Sequence, residues 1–365
     1  MNRGPSSVID LSALERNLAV VRKIVNKKTV IAIVKADAYG HGSVEISRRL
    51  VSLGVDRLAV AFTGEAKLLR EAGIRAGIIV LFDRASIEDY FTYSLIPVIQ
   101  DRESALAFSR EASRRGTKVR VHVKVDTGMG RVGFAPETAV DEIAGIAGME
   151  GIELEGLMSH FSEADLGDRS FAVSQLDVFS VIRDAVSARI GRRPLCHIAN
   201  SAAVLSFPDA VLDAARPGLL LYGCSPFNED YGLTPLMNVR TNLLAVRRLR
   251  TGTPVSYGRT FVTRRESEIA VVPAGYADGY NRLFSNNAEM LVRGRRAPVV
   301  GRVCMDLTML DVTGIGGVRE GDEVVLLGRQ GDETITAAEL AGRINTIPYE
   351  IVTSLGSRAR REYVN

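Results

Sequence analysis

Eight short apolar runs, most of them rich in β-branched residues, alternate with segments of helical periodicity over roughly the first 230 residues of the chain. Nearly all-apolar strands separated by helices are typical of a parallel sheet that is covered on both faces. Eight such units in this length fit a closed (β/α)8 barrel better than an open sheet. The runs are VIAIVKA, RLAVAF, GIIVLF, IPVIQ, VRVHVKVD, LEGLMSHF, LCHIANS and AARPGLLLYG.

The pattern changes near residue 236, where short strands broken by Gly, Pro and Asp begin. One helix, TAAELAGRIN, is predicted near the end of this region. The sequence therefore predicts two domains, an N-terminal (β/α)8 barrel over 1–236 and a C-terminal β-rich domain over 237–365. The first helix of the chain is predicted from SALERNLAVVRKIV, with Ser12 and Glu15 as its capping box.

Composition narrows the class of protein. The 46 Lys and Arg residues against 43 Asp and Glu give a net charge of +3, too small to indicate a nucleic-acid or membrane surface. Basic runs such as 358–361 are interpreted as solvated faces. No apolar run approaches the ~20 residues of a membrane span, and the first residues lack the apolar stretch of a signal peptide. The three cysteines form no paired spacing, which favours a cytoplasmic protein without disulfides, and no metal site is expected.

Chemistry in a (β/α)8 barrel lies at the carboxyl ends of the strands. In this chain those positions carry polar or small residues from five different strands, and the loops after the last two strands are rich in small residues, as at many barrel phosphate sites. The residues at the strand ends are Lys35, Lys124, Arg131, His160, Asn200, Ser201, Arg216 and Gly218.

Lys35 is the most informative of these positions. Only seven of the 46 basic residues are lysines, and none follows Lys124. A lysine at the end of an apolar strand therefore suggests a role that an amine can fill and a guanidinium cannot. A lone lysine here is usually one that reaches past the strand to solvent. A desolvated lysine, however, has a lowered pKa and can form a Schiff base with a carbonyl compound.

The segment around Lys35, VKADAYGHG, resembles the cofactor-lysine signature of alanine racemases, which are barrel-type pyridoxal-phosphate enzymes. The resemblance runs from about residue 8 to the C-terminus and implies pyridoxal 5'-phosphate as cofactor, alanine as substrate and a head-to-tail homodimer with shared active sites. Two small departures are Asp37, where Asn is frequent in the family, and Leu219, where Ile is common. The other motifs, in the family's order, are KVDTGMGRVGF, MSHF, HIANSAA, RPGLLLYG, VSYGRTF, GYADGYNR, GRVCMDLTMLDV and NTIPYEI.

The resemblance assigns the cofactor ligands. Arg216 matches the residue that faces the pyridine nitrogen, and because a guanidinium does not give up its proton, the nitrogen should stay unprotonated and transamination should be limited. Taken one at a time, these residues have ordinary alternatives: core aromatics, a helix cap at Ser201 and a buried ion pair at Arg216. The remaining cofactor-binding residues that the resemblance implies are Tyr39, Asn200, Ser201, Gly218, Leu219 and Tyr349.

The run GMGRVG, from Gly128 to Gly133, satisfies the glycine pattern of dinucleotide-binding loops, but a lone match is weak and explains neither the barrel nor the other strand ends. The resemblance implies instead that Arg131 contacts the cofactor's phenolic oxygen and the substrate carboxylate. Lys124 is implied to be a carbamylated lysine that holds Arg131. Carbamylation converts a cation into an anion and so turns repulsion into an ion pair. An unmodified Lys124 bonded to a carboxylate is the alternative.

In the second domain, the resemblance implies that Tyr257 is the second acid/base and acts in the partner's site. A phenol is a weak base at neutral pH. A chain from Tyr257 through His160 to Arg216 is expected to help, with the histidine accepting a hydrogen bond from the phenol. A tyrosine in a β-rich segment is otherwise a packing residue, and a lone histidine is otherwise a core residue. The other residues implied to reach the partner's site or its entrance are Tyr276, Cys304, Met305 and Asp306.

The interpretation that follows is an alanine racemase that interconverts L- and D-alanine and supplies D-alanine for peptidoglycan. Lys35 is expected to take the proton from D-alanine and the partner's Tyr257 from L-alanine. The alternatives are a barrel-type amino-acid decarboxylase, a non-catalytic single-barrel protein that binds pyridoxal phosphate, and a racemase of serine or a basic amino acid. The extra domain of about 130 residues argues against the single-barrel protein, and VSYGRTF argues against the decarboxylase.

Overall fold

The computed structural model describes residues 4–84, 86–227, 229–355 and 357–365. The chain begins with strand β1 (Ser6–Asp10) and continues into helix α1 (Leu11–Val25). Asp10 caps this helix, because its carboxylate accepts a hydrogen bond from the backbone N–H of Ser12 at 2.8 Å. The capping box predicted for Ser12 and Glu15 is therefore wrong: the helix begins at Leu11, and its cap lies two residues earlier than predicted, at Asp10.

Eight parallel strands form a nearly closed barrel, and each of the eight apolar runs supplies one of them. The strands are β2 (Thr29–Ile33), β3 (Arg57–Val60), β4 (Gly77–Val80), β5 (Ile96–Ile99), β6 (Val119–Lys124), β7 (Ile152–Met158), β8 (Leu195–His197) and β9 (Ala214–Ala215). Their order is β8-β7-β6-β5-β4-β3-β2-β9. The two ends of this sheet approach each other where the Asp213 N–H donates to the Cys196 carbonyl at 3.0 Å. The barrel prediction is confirmed.

Helices cover the outside of the barrel and bury one face each. Ile46 and Leu50 are fully buried on one helix, and Ala105 and Phe108 on another, at the i, i+3 and i, i+4 spacings that align side chains along one face. The helical segments of this part are α2 (Lys35–Tyr39), which is a short turn at the mouth of the barrel, and α3 (Ser43–Ser52), α4 (Thr63–Glu71), α5 (Ile87–Thr92), α6 (Arg102–Arg114), α7 (Pro136–Ala147), α8 (Ser170–Ile190) and α9 (Ser201–Ser206).

The C-terminal part is rich in strands, as predicted. It contains β10 (Met237–Asn242), β11 (Ala245–Leu249), β12 (Pro254–Val255), β13 (Phe261–Val262), β14 (Ser267–Val272), β15 (Glu289–Val292), β16 (Arg295–Pro298), β17 (Thr308–Asp311), β18 (Glu323–Gln330), β19 (Glu333–Ile335), α10 (Ala337–Arg343), α11 (Pro348–Ser354) and β20 (Arg360–Val364). The largest sheet of the C-terminal part has the order β16-β15-β18-β10-β1-β20, and β19 pairs with β18. Strand β1 therefore lies between β10 and β20, so both ends of the chain are part of the C-terminal sheet. The division at residues 236 and 237 stays a prediction.

Two details of this part differ from the sequence-based expectations. A second helix, α11, follows the one that was predicted, and it carries Tyr349. The basic run 358–361 is not simply solvated, because Arg361 forms an ion pair with Asp37 at 2.7 Å and donates to the Gly40 carbonyl at 3.0 Å. These contacts join β20 to the segment that follows Lys35. The final strand thus helps to hold the mouth of the barrel.

Candidate active site

The segment after Lys35 turns with the opposite hand to an ordinary helix. Ala36, Asp37, Ala38 and Tyr39 all have φ between 51° and 54°. Each such residue costs roughly 1–2 kcal/mol relative to a right-handed conformation, so surrounding contacts must hold the turn. It carries Lys35 and Tyr39 into the same cavity.

Carboxylates hold this left-handed turn from two sides. Glu65 accepts a hydrogen bond from the Ala36 N–H at 2.6 Å. Asp37 accepts one from the Ser43 N–H at 2.7 Å while it pairs with Arg361. The aspartate noted as a departure from the family's usual asparagine is thus part of an ion pair that an asparagine could not form.

A cavity of about 530 Å³ opens at the carboxyl ends of the barrel strands. Most of the site residues predicted from the barrel line it, and helix α11 of the C-terminal part forms one of its walls. Leu219 lies next to Gly218 and is fully buried. The predicted residues that line the cavity are Lys35, Tyr39, Lys124, Arg131, His160, Asn200, Ser201, Arg216, Gly218 and Tyr349.

Lys35 lies in a setting that favours its neutral amine. Burial lowers the pKa of Lys35, and the nearby Arg131 lowers it further. Its Nζ lies 5.9 Å from the ring centroid of Phe82, and the Arg131 guanidinium lies 5.4 Å from the same centroid. Phe82 thus stands against both cations. Sequence reasoning missed Phe82, although it is the last residue of the apolar run GIIVLF that contains β4.

Hydroxyl and backbone N–H groups gather at one end of the cavity. The Gly218 N–H donates to the Ser201 hydroxyl oxygen at 3.0 Å, which leaves the hydroxyl proton available to another acceptor. A Cβ at position 218 would lie 2.5 Å from the Tyr39 hydroxyl, so this position requires glycine. Asn200 caps helix α9 through the Ala203 N–H, so the alternative that Ser201 is the cap is wrong.

The two tyrosines at this end remain neutral donors. The rings of Tyr39 and Tyr349 lie 5.8 Å apart, and Tyr39 also stacks on Tyr222 at 4.9 Å. Burial raises the pKa of Tyr39 well above its usual range and raises that of Tyr349 to about 12. An uncharged set of O–H and N–H donors is suited to an anionic group such as a phosphate ester.

Arg216 is buried without a carboxylate partner among the described residues. Its five hydrogen bonds go to carbonyl oxygens and imidazole nitrogens, so the alternative of a buried ion pair is wrong. Burial and Arg131 lower the pKa of Arg216 to about 9, which leaves the guanidinium charged at neutral pH. One bond goes to His160 Nδ1 at 3.1 Å and another to His197 Nδ1 at 2.7 Å.

This geometry reverses the hydrogen bond expected at His160. A guanidinium only donates, so His160 Nδ1 must accept, and the neutral ring then carries its proton on Nε2. Burial and then Arg216 hold the pKa of His160 well below its usual range, so the ring is neutral. His160 is therefore a donor at Nε2 and cannot accept there from a phenol.

The glycine-rich run forms a loop that is wrapped around a carboxylate. Asp126 accepts hydrogen bonds from the backbone N–H groups of residues 128–131, at 2.7 to 3.1 Å. Burial raises the pKa of Asp126, but these four bonds lower it more. The amides that a dinucleotide phosphate would need are thus occupied. Asp126 fixes the backbone of Arg131, a role that sequence reasoning missed.

Lys124 is buried, with 2% of its surface exposed, and its Nζ makes no hydrogen bond with any described residue. The alternative of an unmodified lysine bonded to a carboxylate is therefore not what the structure shows. Burial, followed by Arg131 and Arg216, lowers the pKa of Lys124 to about 8. A buried amine without a partner costs free energy unless something else satisfies it.

The predicted residues of the C-terminal part lie outside this cavity. Tyr257, Met305 and Tyr276 expose 69%, 54% and 42% of their surface. The Tyr276 N–H donates to the Cys304 carbonyl at 3.0 Å, and Ser256, next to Tyr257, donates to the Arg302 carbonyl at 2.6 Å. We call the surface formed by Tyr257, Tyr276 and Met305 the Tyr257 face. Asp306, beside it, pairs with Arg358 at 3.2 Å.

Two features are absent from the described part of the chain. No helix in it combines the length and apolar character that a membrane crossing requires. No group of three or more His, Cys, Asp or Glu side chains in it is placed to hold a metal ion.

Comparison with known proteins gives matches over almost the whole chain. The family model "Alanine racemase, N-terminal domain" matches residues 9–226, and "Alanine racemase, C-terminal domain" matches residues 236–363. The alanine racemase of Thermodesulfovibrio yellowstonii is 51% identical over 100% of this chain and 99% of its own length. That of Halothermothrix orenii is 44% identical, over 98% and 96% of the two chains.

Solved structures agree with the sequence matches. The crystal structure of alanine racemase from Streptomyces lavendulae has a TM-score of 0.95 at 32% identity and covers 100% of this chain and 98% of its own. Alanine racemase from Bartonella henselae, solved with covalently bound pyridoxal phosphate, has a TM-score of 0.90 at 28% identity, with 99% of both chains covered. Fold and site together define a pyridoxal-phosphate-dependent isomerase of the barrel type. Within that class, the chain belongs to the alanine racemase family.

Gly218→Ala is expected to weaken the binding of pyridoxal phosphate by at least about tenfold, because the added methyl displaces the Tyr39 hydroxyl. Titration of the cofactor-free protein, followed by the absorbance of the bound cofactor, measures this. Gly314→Ala is the matched control, since nothing lies within 4 Å of a Cβ there. Unchanged affinity in Gly218→Ala would contradict the assignment of this end of the cavity.

Proposed function

We propose that this chain interconverts L-alanine and D-alanine, with pyridoxal phosphate held on Lys35 and a base on each face of the substrate. The observation that carries the proposal is a half-buried amine of lowered pKa, near two guanidinium groups at the mouth of a barrel, in a member of the alanine racemase family. The product D-alanine would serve peptidoglycan synthesis, and the enzyme would act in the cytoplasm.

The residues present fit the cofactor. Tyr39, Ser201, Tyr349 and the Leu219 backbone would supply uncharged donors for its phosphate, with the Gly218 N–H holding the Ser201 hydroxyl in place. Arg216 would be the donor for its ring nitrogen. The cradle at Gly218 is one that a Cβ would fill. Pyridoxal phosphate, when bound, withdraws electrons from the substrate and makes its Cα–H bond acidic. All other functions in the cycle fall to side chains of the protein.

Substrate recognition is assigned to Arg131 and to the partner subunit. Arg131 lines the cavity and its backbone is fixed by Asp126, so its guanidinium can reach and bind the substrate carboxylate. The partner's Met305 would supply a backbone N–H to the same carboxylate. The partner's Tyr276, with Tyr349, would narrow the entrance, which favours a small side chain such as that of alanine. The partner's Cys304 and Asp306 would support this loop.

Racemisation requires proton transfer on both faces of Cα. The neutral amine of Lys35 would take the proton from D-alanine and return it on the same face. Among the described residues, the tyrosines that line the cavity are Tyr39 and Tyr349, which are assigned to the phosphate. Tyr257 lies outside the cavity, on the exposed Tyr257 face. We therefore assign the second base to the partner's Tyr257, in a head-to-tail homodimer whose two sites are both shared.

His160 would help the partner's Tyr257 as a donor. Its Nε2–H is free to donate to the phenolic oxygen, since Nδ1 already accepts from Arg216. A hydrogen bond to the oxygen stabilises the phenolate and makes it available as a base. The direction from Arg216 through His160 to the phenol is thus opposite to the one first expected for the histidine, and it is the more useful direction for catalysis.

We also assign a carbamate to Lys124. Its amine is buried, has no partner and lies near two guanidinium groups, and its lowered pKa supplies the neutral form that reacts with carbon dioxide. The amine nitrogen bonds to the carbon of carbon dioxide and loses one proton to solvent. The anion formed could pair with Arg131.

A protein equilibrated with ¹³C-bicarbonate is expected to show one carbamate carbon resonance that is absent in Lys124→Met. Lys118→Met, a change at an exposed lysine, is the control and should keep the resonance. A spectrum without any such resonance at neutral pH would exclude the modification.

Tyr257→Phe is expected to lower exchange of the Cα proton starting from L-alanine by about 10²- to 10⁴-fold, and far more than exchange starting from D-alanine. Solvent deuterium incorporation into each enantiomer measures this. Tyr231→Phe, in which the lost phenol bonds only to Glu229 outside the cavity, should change neither rate. Equal losses from both enantiomers would contradict the two-base assignment.

Shared sites can be tested with the same variant. Mixing inactive Lys35→Ala and Tyr257→Phe chains under conditions of subunit exchange should restore about a quarter of the wild-type activity, because half of the dimers then contain one intact site. No recovery after proven exchange would mean that Tyr257 acts within its own chain or not at all.

A further inference from the structure

A column of polar side chains runs through the interior of the barrel, below the cavity. Arg216 donates to His197 Nδ1 at 2.7 Å, and His197 Nε2 lies 2.7 Å from His122 Nδ1. Both imidazoles are fully buried. At the other end of the barrel, Glu155 binds Arg57 of the opposite strand β3 at 2.7 Å. We call Arg216, His197, His122 and Glu155 the barrel column.

The proton positions along the column follow from its upper end. Arg216 can only donate, so His197 Nδ1 accepts, and the neutral His197 carries its proton on Nε2. That proton is donated to His122 Nδ1, so His122 in turn carries its proton on Nε2. Every N–H in the column therefore points away from Arg216. Burial lowers the pKa of His122 to about 4 and holds that of His197 well below its usual range, in agreement with two neutral rings.

The lower end has two groups without hydrogen bonds. His122 Nε2 and Glu155 Oε2 are both buried, and neither has a hydrogen-bond partner among the described residues. Oε2 has only the longer ion pair to Arg120, at 3.4 Å. Glu155 is also the charged group that most favours a positive His122. The carboxylate thus attracts the same N–H that the column leaves pointing downward.

Strand β7 departs from regular pairing at this point. Val121 pairs with Leu154 and His122 with Gly156, which leaves Glu155 as an extra residue in a bulge. A bulge redirects a side chain, and here the carboxylate meets Arg57 from the opposite side of the barrel. A Cβ at Gly156 would lie 2.4 Å from His122 Nδ1, so the imidazole fits only beside glycine. A bulge and a glycine together make room for the column.

We propose that His197, His122 and Glu155 are positioning residues: the two imidazoles fix the guanidinium of Arg216 through a one-directional hydrogen-bond chain, and the charge of Glu155 attracts the N–H at the lower end of that chain. The cation at the top and the carboxylate at the bottom both favour the same pair of tautomers, so the chain has one preferred direction. Apolar side chains could fill the same volume without the desolvation cost of buried polar groups. The catalytic effect of this positioning rests on the proposed function, in which Arg216 faces the cofactor's ring nitrogen.

The first experiment requires no substrate or cofactor. Protein labelled with ¹⁵N-histidine contains only four labelled residues, and long-range ¹H–¹⁵N spectra identify the protonated nitrogen of each ring. At neutral pH, His122 and His197 are expected to carry one proton each, on Nε2, and His122→Phe should shift the His197 Nε2–H signal. A proton on Nδ1 of either ring, or on both nitrogens, would overturn the proposal.

The second experiment tests the positioning of Arg216. In His122→Phe and Glu155→Gln, the ratio of transamination, detected as released pyruvate, to racemisation should rise about tenfold, with KM for alanine within twofold of wild type. Tyr280→Phe removes another buried polar group without a partner and should leave the ratio unchanged. An unchanged ratio in both column variants would mean that the barrel column does not position Arg216 for catalysis, and would overturn the proposal. If the wild-type protein does not racemise alanine, the proposed function is wrong. The tautomer spectra then still test the direction of the hydrogen-bond chain in the barrel column.

Discussion

Four basic side chains share one cavity, and their mutual repulsion is the constraint to which the rest of the site responds. Lys35, Lys124, Arg131 and Arg216 all line it. Burial and the neighbouring guanidinium groups lower the pKa of both lysines, which favours their neutral amines. A neutral amine is what condensation with an aldehyde or with carbon dioxide requires. The same excess of positive charge favours a phosphate ester and a substrate carboxylate.

The scaffold holds these groups by different means. Arg216 is held by neutral acceptors and by the barrel column, Arg131 by the loop around Asp126, and Lys35 by a left-handed turn under strain. The turn is tied to Glu65 and, through Asp37, to Arg361 of the last strand. Since that strand pairs with β1, the two chain ends meet beside the segment that follows Lys35. The C-terminal part thus supports its own chain's site, while its Tyr257 face is directed elsewhere.

Much of this architecture could be predicted from the sequence, for physical reasons. Period and apolarity identify the strands of a parallel barrel, and strand ends in a barrel must converge, so the lining residues follow from the eight runs. The left-handed turn could not be predicted, because Ala, Asp and Tyr all disfavour positive φ and only tertiary contacts impose it. The loop around Asp126 resembled a dinucleotide motif because the pattern does not show which way its amides point.

Other features depend on contacts between residues distant in sequence. The pairing of β1 with β20 joins residues about 350 positions apart, and neither strand carries a signal for its partner. The bulge at Glu155 has no sequence mark except the glycine that follows it. Which nitrogen of His160 carries the proton could not be predicted from the sequence, because it depends on which of the two nitrogens accepts from Arg216.

The proposed function depends most on the amine of Lys35 being the one that holds the cofactor. The direct measurement is borohydride reduction of the protein in the presence of pyridoxal phosphate, followed by peptide mapping of the stable adduct among the seven lysines. The assignment of the cofactor to Lys35 predicts one adduct per chain, on that residue. An adduct on Lys124 or on a surface lysine, or none at all, would contradict it.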